Sequence, residues 1–149
     1  MDIDEQFMRL AIQEAEKASL KDEVPVGAVL VKDNVVIATA YNMREAENNP
    51  TAHAELIALR EGASKIKSWR LRDAILYVTK EPCIMCAGAI LNTRLARLVY
   101  GCRDKKGGAV HSLYNLLSDK RLNHQVEVIS GVLEDECSLI LKRFFQERR

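Results

Sequence analysis

The chain has 149 residues, of which 48% are hydrophobic and 29% are charged, and its formal net charge is +1 at pH 7. This composition is ordinary for a folded globular protein and argues against the disordered and fibrous classes. A net charge so close to zero carries no bulk signature of a nucleic-acid binder.

The N-terminal segment is acidic, and its sequence MDIDEQFMRL lacks the basic-then-apolar order of a signal peptide. No later window approaches the ~18 uninterrupted apolar residues that a membrane span needs. We therefore expect a cytoplasmic protein that does not bind a membrane.

The first part of the chain predicts a helix followed by a hairpin. Apolar residues at helical spacing indicate an amphipathic helix over residues 4–20. Two strand-like runs follow, Val26–Val31 and Val35–Ala40. The short, turn-forming segment Lys32-Asp33-Asn34 separates them, so we expect a β-hairpin.

The rest of the chain alternates between helices and strands. Asn49-Pro50-Thr51 offers a cap and a helix-starting proline, which open the next helix. The predicted elements are a helix over 51–66, a strand over Ala74–Thr79, a helix over 83–92, a strand over Leu95–Gly101, a short helix over 112–118, a strand over Gln125–Gly131 and a helix over Glu134–Glu147. This order favours crossovers and partly parallel pairing. We expect one domain of residues 1–149, an α/β protein built as a three-layer α/β/α sandwich whose five-stranded mixed sheet is flanked by helices.

Two cysteines lie three residues apart where a predicted strand meets a predicted helix. In Pro82-Cys83-Ile84-Met85-Cys86 the proline suits the first turn of a helix, and the two thiols then share one face. The partial positive charge of a helix N-terminus favours thiolates, which are good zinc ligands. The pair alone equally fits two small core residues. Cys102 and Cys137 stand alone, and we interpret them as ordinary buried thiols.

His53 can complete a ligand set with the two cysteines, and we expect it in the first turn of the second helix. Three protein ligands leave one position of a tetrahedral zinc ion open for water, which is typical of a catalytic site. Glu55 lies two residues later, about 200° around a helix, so it is not expected to bind the same ion as His53. A carboxylate beside the metal instead suits a proton shuttle between water and a leaving amine.

The sequence His53-Ala54-Glu55, followed by Pro82-Cys83-Ile84-Met85-Cys86, resembles the signature of the cytidine-deaminase-like zinc deaminases. Further blocks give a closer resemblance, over nearly the whole chain, to the bacterial tRNA-specific adenosine deaminases. These blocks are Val24–Ala28, Asn49–Glu55, Leu76–Thr79, Glu81–Ala89 and Asn123-His124.

The resemblance implies a single deaminase domain that converts adenosine to inosine at the wobble position of a tRNA anticodon, usually that of an arginine tRNA. It implies one zinc ion per chain, bound by His53, Cys83 and Cys86. Glu55 is then the catalytic residue that moves protons. The resemblance also implies a homodimer in which the RNA contacts both subunits.

Substrate contacts follow from the same resemblance. By analogy, Asn42 hydrogen-bonds the target base, and Asp104 contacts a ribose near the reacting nucleotide. Val26 and Ala54 are expected to line the base pocket. The loop Lys105-Lys106-Gly107-Gly108 is expected to face RNA phosphate. From the residues alone, Asn42 and Asp104 equally fit simple turn positions.

One position departs from the family pattern. Lys80 lies directly before Glu81, at a place where relatives commonly carry an apolar residue such as leucine. Its charge is expected to alter the packing or the electrostatics beside the cysteine turn without removing a zinc ligand.

Three alternative functions remain open. A deaminase of the same fold that acts on a free nucleobase or nucleoside would share the metal residues, although the basic stretch of residues 94–121 and Asp104 favour RNA. A catalytically silent zinc-binding subunit would be expected to lack Glu55. A small structural zinc module would require a fourth protein ligand.

Overall fold

The computed structural model describes residues 2–148. The elements in this range are α1 (Ile3–Leu20), β1 (Gly27–Lys32), β2 (Val35–Tyr41), α2 (Ala54–Ile66), β3 (Ala74–Lys80), α3 (Ile84–Asn92), β4 (Arg97–Cys102), a 3₁₀ turn (Leu116–Ser118), β5 (Glu127–Ile129) and α4 (Glu134–Glu147). Within residues 2–148, no helix has the length and apolar character needed to cross a membrane.

The strands form one five-stranded mixed sheet in the order β2-β1-β3-β4-β5. Strand β1 pairs antiparallel with β2 and β3, whereas β4 pairs parallel with β3 and β5. The parallel pairing of β3 with β4 requires a crossover, which α3 provides. The predicted fold class, a three-layer α/β/α sandwich with a mixed sheet, is confirmed.

Apolar side chains cover both faces of the sheet because successive residues of a strand point to opposite sides. Leu76 and Val78 of β3 pack in the cluster that includes α2 and α3, whereas Tyr77 packs in the cluster that includes α1. Helix α1 lies very close to β1, since a Cβ atom on Gly27 would overlap the backbone of Ala11. The face that carries α2 and α3 is the one that holds the candidate site described below.

The predicted hairpin is confirmed, with a shorter turn than expected. Lys32 belongs to β1, so Asp33 and Asn34 alone make the connection. Both residues have positive φ angles, 52° and 59° respectively. Two consecutive residues of this kind are typical of a type I′ turn, and Asp and Asn tolerate the left-handed backbone well.

Helix α2 begins at Ala54, so the predicted start at residue 51 is wrong. The preceding segment forms a turn in which the Asn49 side chain accepts hydrogen bonds from the backbone N–H and the hydroxyl of Thr51, at 2.9 and 2.7 Å. The Asn49 carbonyl accepts a further bond from Ala52 at 3.1 Å. Because these local bonds compete with helix formation, His53 becomes the residue that precedes the helix.

The predicted short helix over residues 112–118 is also wrong, because the structure has only the 3₁₀ turn there. The backbone N–H groups of Leu113 and Leu116 donate instead to the carbonyls of Gly108 and Ala109. The segment therefore folds back on the loop that precedes it. The final strand is shorter than the predicted 125–131 and pairs only with β4.

One buried carboxylate organises the connection between β4 and β5. The side chain of Glu81, which directly follows β3, accepts backbone N–H bonds from four residues of that connection at 2.7–3.1 Å. These residues are Asp104, Val110, His111 and Ser112. Burial alone would raise the pKa of Glu81, but the bonds from the Ser112 hydroxyl and from the backbone outweigh it and lower the pKa to about 2.

The loop passes so close to this carboxylate that it needs a glycine at residue 108. A Cβ atom on Gly108 would overlap the Glu81 carboxyl group. The segment that carries Asp104 is therefore fixed against the end of β3.

We expect Glu81→Gln to lower the free energy of unfolding by about 1–3 kcal/mol at pH 7, since the amide cannot accept all of these bonds. The folded-state pKa is lowered, so the stabilisation is present above about pH 4.5 and is lost as the pH falls towards 2. Urea unfolding of both forms should show a difference that shrinks over that range. Glu61→Gln, at an exposed position of α2, is the matched control. Equal stability of Glu81→Gln and the parent at pH 7 would contradict this role.

Candidate metal centre and active-site pocket

Three potential metal ligands converge on the α2/α3 face of the sheet. The Nδ1 atom of His53 lies 3.5 Å from the Sγ atom of Cys86 and 3.7 Å from that of Cys83. All three ligand atoms lie within 4.8 Å of one another. Zinc bonds of about 2.3 Å to sulfur and 2.0–2.1 Å to nitrogen give S···N separations of about 3.6 Å in a tetrahedral site. The observed spacing fits such an ion.

Both helices of this face begin at one of these residues. His53 is the N-cap of α2 and Cys83 is the N-cap of α3, and both have extended backbones. Neither side chain hydrogen-bonds to the start of its own helix. The prediction that His53 lies inside the first turn is therefore wrong by one position. The extended backbone directs its imidazole away from the helix and towards the cysteines.

The two thiols and the imidazole shift one another's ionisation. A hydrogen bond from Cys86, aided by His53, lowers the pKa of Cys83 to about 3, whereas the same bond and burial raise the pKa of Cys86. The hydrogen bond to Cys83 also raises the pKa of His53. A thiolate held beside a second thiol and an imidazole is a donor set that favours zinc, whose binding displaces the remaining protons.

Glu55 lies in the first turn of α2 and is only 4% exposed. Burial is the main influence on its carboxyl group and raises its pKa. A carboxyl group whose pKa is raised by burial is suited to accept and return a proton. No fourth His, Cys, Asp or Glu side chain among residues 2–148 joins the metal-ligand group, so the fourth position that a structural zinc module requires is not filled by such a side chain.

A cavity of about 310 Å³ opens directly in front of these groups. This volume lies at the lower end of small-molecule pockets, roughly 300–1,000 Å³. The cavity is lined by Val24, Val26, Asn42, Arg44, His53, Ala54, Glu55, Lys80, Glu81, Cys83, Asp104 and Phe145. Seven of the eight predicted site residues are on this wall, and the eighth, Cys86, is fully buried.

Asn42 is held at the end of the β-hairpin. Its side-chain amide donates to the carbonyl of Val24 at 3.2 Å, and its side-chain oxygen accepts from the backbone N–H of Arg44 at 3.2 Å. Its own backbone N–H donates to the carbonyl of Val26 at 3.0 Å. These bonds fix the amide in the cavity wall, where one N–H and one oxygen lone pair are left for a ligand.

Asp104 is held by its own loop. One carboxylate oxygen accepts backbone N–H bonds from Lys106 and Gly107 at 3.0 and 3.1 Å, and the other lies 3.2 Å from Nζ of Lys80. Burial opposes ionisation, but these partners together lower the pKa of Asp104. Asp104 therefore combines a turn role with a place in the cavity wall. The side chains of Lys105 and Lys106 are exposed.

The sequence analysis missed several residues of the cavity. Arg44 and Val24 lie two residues from Asn42 and Val26, so alternation along the strand ends is a signal that could have found them. Phe145, which is 51% exposed, reaches the cavity from α4, and no local pattern marks it. The two remaining cysteines are buried, as predicted, and burial raises the pKa of Cys102 to about 11 and of Cys137 to about 12.

Comparison with known proteins gives consistent matches over nearly the whole chain. A family model described as MafB19-like deaminase matches residues 1–149. The chain is 51% identical to a tRNA-specific adenosine deaminase of Bacillus subtilis, over 98% of this chain and 91% of the relative. It is also 51% identical to the tRNA-specific adenosine deaminase of Haemophilus influenzae, over 99% of this chain and 86% of the relative.

A solved structure matches the fold as well. It comes from a study of A-to-I editing by tRNA:A34 deaminases at the wobble position of transfer RNA. The TM-score is 0.88 at 47% sequence identity, and the match covers 91% of this chain and 99% of the other. The chain therefore belongs to the MafB19-like deaminases and, within them, to the family of tRNA-specific adenosine deaminases.

Proposed function

We propose that this protein is a zinc-dependent deaminase that hydrolyses adenosine to inosine at the wobble position of a tRNA anticodon. One observation carries the proposal. The buried carboxyl group of Glu55 lies beside the convergent group of His53, Cys83 and Cys86, on the wall of a cavity of nucleoside size. The identity of 51% to tRNA-specific adenosine deaminases supports the choice of substrate.

The proposed metal is one zinc ion per chain, with His53, Cys83 and Cys86 as ligands. The S···N distances of 3.5 and 3.7 Å and the mixed sulfur and nitrogen donors favour zinc over oxygen-preferring ions. Zinc would supply Lewis acidity that makes water a nucleophile at neutral pH.

Glu55 is the proposed catalytic acid and base. Water adds to carbon six of the purine and gives up one proton, which goes to a ring nitrogen. The added hydroxyl then loses its proton and becomes the carbonyl, while the exocyclic amine takes up a proton and leaves as ammonia. Glu55 lies in the cavity wall, and burial raises its pKa, so it suits each of these transfers. His53 lies two residues before Glu55, and its imidazole faces the two sulfurs, so Glu55 is the group left to carry these protons.

The base is proposed to bind between the end of the hairpin and the start of α2. Val26 and Ala54 offer apolar contact, and the fixed amide of Asn42 offers a donor and an acceptor to the edge of the purine. Asp104 is proposed to contact a ribose near the reacting nucleotide. The cavity admits a nucleotide only when it is turned out of its stack, which is easier in a single-stranded anticodon loop than in a duplex.

Several properties of the whole protein belong to the same proposal. Residues 1–149 form a single deaminase domain, and it works as a homodimer in the cytoplasm on an arginine tRNA. The exposed Lys105 and Lys106 face RNA phosphate. Exposed apolar side chains at Ile84, Leu113 and Tyr114, on α3 and on the loop that packs near it, support a subunit contact.

We expect Glu55→Ala to lower the turnover number on tRNA by at least ~10²-fold, because proton transfer contributes about 10²–10⁴-fold to such reactions. The zinc content and the melting temperature should stay close to those of the parent, since Glu55 is not a proposed ligand. Ammonia release measures the turnover. Parent-like turnover in this variant would contradict the catalytic role.

Cys83→Ala is expected to abolish zinc binding, because two protein donors are too few for tight binding. Elemental analysis of purified protein should give close to one zinc per chain for the parent and almost none for the variant. Cys102→Ala, which removes a buried thiol outside the ligand group, is the matched control and should keep its zinc. A Cys83→Ala protein that retains one zinc per chain would show that the ligand set is wrong.

The substrate assignment predicts a change at one nucleotide. Sequencing an arginine tRNA before and after treatment should show adenosine read as guanosine at the first anticodon position. Free adenosine should release little ammonia under the same conditions. Rapid ammonia release from free nucleosides, without a change in the tRNA, would instead favour a nucleoside deaminase.

A further inference from the structure

Apart from His53 and Cys83, which belong to the metal-ligand group, the charged side chains of the cavity do not together favour an anionic substrate. Three carboxyl groups, those of Glu55, Glu81 and Asp104, line its wall. Two cationic side chains, Arg44 and Lys80, line it as well. A nucleic acid must bring its phosphates close to this wall if one of its bases is to enter the cavity. The positions of the two cations therefore decide how such a chain is held.

Lys80 is directed towards this cavity by the alternation of its strand. It is the last residue of β3, and the strand places Leu76, Val78 and Lys80 on one face of the sheet. That is the face on which α2 and α3 begin with His53 and Cys83. The Lys80 side chain is 29% exposed, so it is partly desolvated but still open to a ligand.

The ammonium group of Lys80 is held in a fixed place. Its Nζ atom lies 3.2 Å from Oδ2 of Asp104, and within residues 2–148 Asp104 is its only ion-pair partner. The other oxygen of Asp104 is fixed by the backbone N–H groups of Lys106 and Gly107. An ammonium group has three N–H donors, and one carboxylate oxygen takes one of them. Lys80 therefore keeps further N–H donors for a ligand that enters the cavity.

We propose that Lys80 is a specificity-determining residue that binds a phosphate group of the polynucleotide beside the reacting nucleoside. The inference rests on the proposed function and deepens it. A free nucleoside has no phosphate and cannot use this contact, whereas an RNA chain can. Without the lysine, a phosphate at this point would meet the Asp104 carboxylate without its cationic partner, and the two negative charges would repel each other.

The test compares Lys80→Met, which keeps the length of the side chain, with Lys80→Arg, which keeps the charge. Lys65→Met, at the exposed C-terminal end of α2, removes the same charge far along the helix from the cavity and serves as the control. The zinc-loaded proteins are assayed with an anticodon stem-loop RNA. Binding of the fluorescently labelled stem-loop is measured by anisotropy at several salt concentrations.

Lys80→Met is expected to raise KM for the stem-loop roughly tenfold, the size of one charge-assisted hydrogen bond, with kcat within about twofold of the parent. The slope of log affinity against log salt should fall in magnitude by about 0.7, as for the loss of one phosphate contact in a single strand. Lys80→Arg and Lys65→Met should keep the parent slope.

Two results with the variants would overturn the inference. One is a Lys80→Met protein with the parent's KM and slope. The other is a raised KM with an unchanged slope, which would place the effect in the Asp104 loop rather than in a phosphate contact. A parent protein that binds the stem-loop but forms no inosine would refute the proposed function, while the salt slopes would still decide the role of Lys80. A parent protein that does not bind the stem-loop would overturn both.

Discussion

The structure depends on the convergence of two helix N-termini on one face of a sheet. His53 directly precedes α2 and Cys83 directly precedes α3, and the two side chains face each other instead of capping their own helices. The partial positive charge of the α3 terminus and the neighbouring imidazole favour a thiolate at this point. Strand β3 leads directly into α3, and the turn at Asn49 precedes α2. The cavity and Glu55 follow from that arrangement, because Glu55 is in the first turn of α2.

A second carboxylate organises the opposite wall of the same cavity. Glu81 lies two residues before Cys83 and binds the backbone of the loop that carries Asp104. The short segment from residue 80 to residue 83 therefore positions the Lys80 ammonium group, the loop that carries Asp104 and the thiol of Cys83. A substitution in this segment is therefore expected to affect both the cysteine turn and the packing of the loop.

Much of the fold and the centre of the site could be predicted because their signals are local. Apolar periodicity marks the helices and strands, and the spacing of His53, Glu55, Cys83 and Cys86 marks the chemistry. The errors arise where side chains compete for backbone hydrogen bonds, as Asn49 does before α2. The loop that contains residues 112–118 is shaped by contacts with distant residues, which no short window of sequence contains. The presence of Phe145 in the cavity lining was missed for the same reason, since it depends on how α4 packs on the sheet.

The complete burial of Cys86 has a consequence for how a metal ion would enter and leave the site. The Cys86 side chain is fully buried and does not line the cavity, whereas His53 and Cys83 do. An ion held at this position would reach solvent through the cavity that a nucleoside is proposed to enter. A purine bound in the cavity would block this route and protect the metal from chelators. The loss of metal would then be slowest when the enzyme is saturated with substrate. The rate of metal loss would therefore fall as the fraction of enzyme occupied by substrate rises.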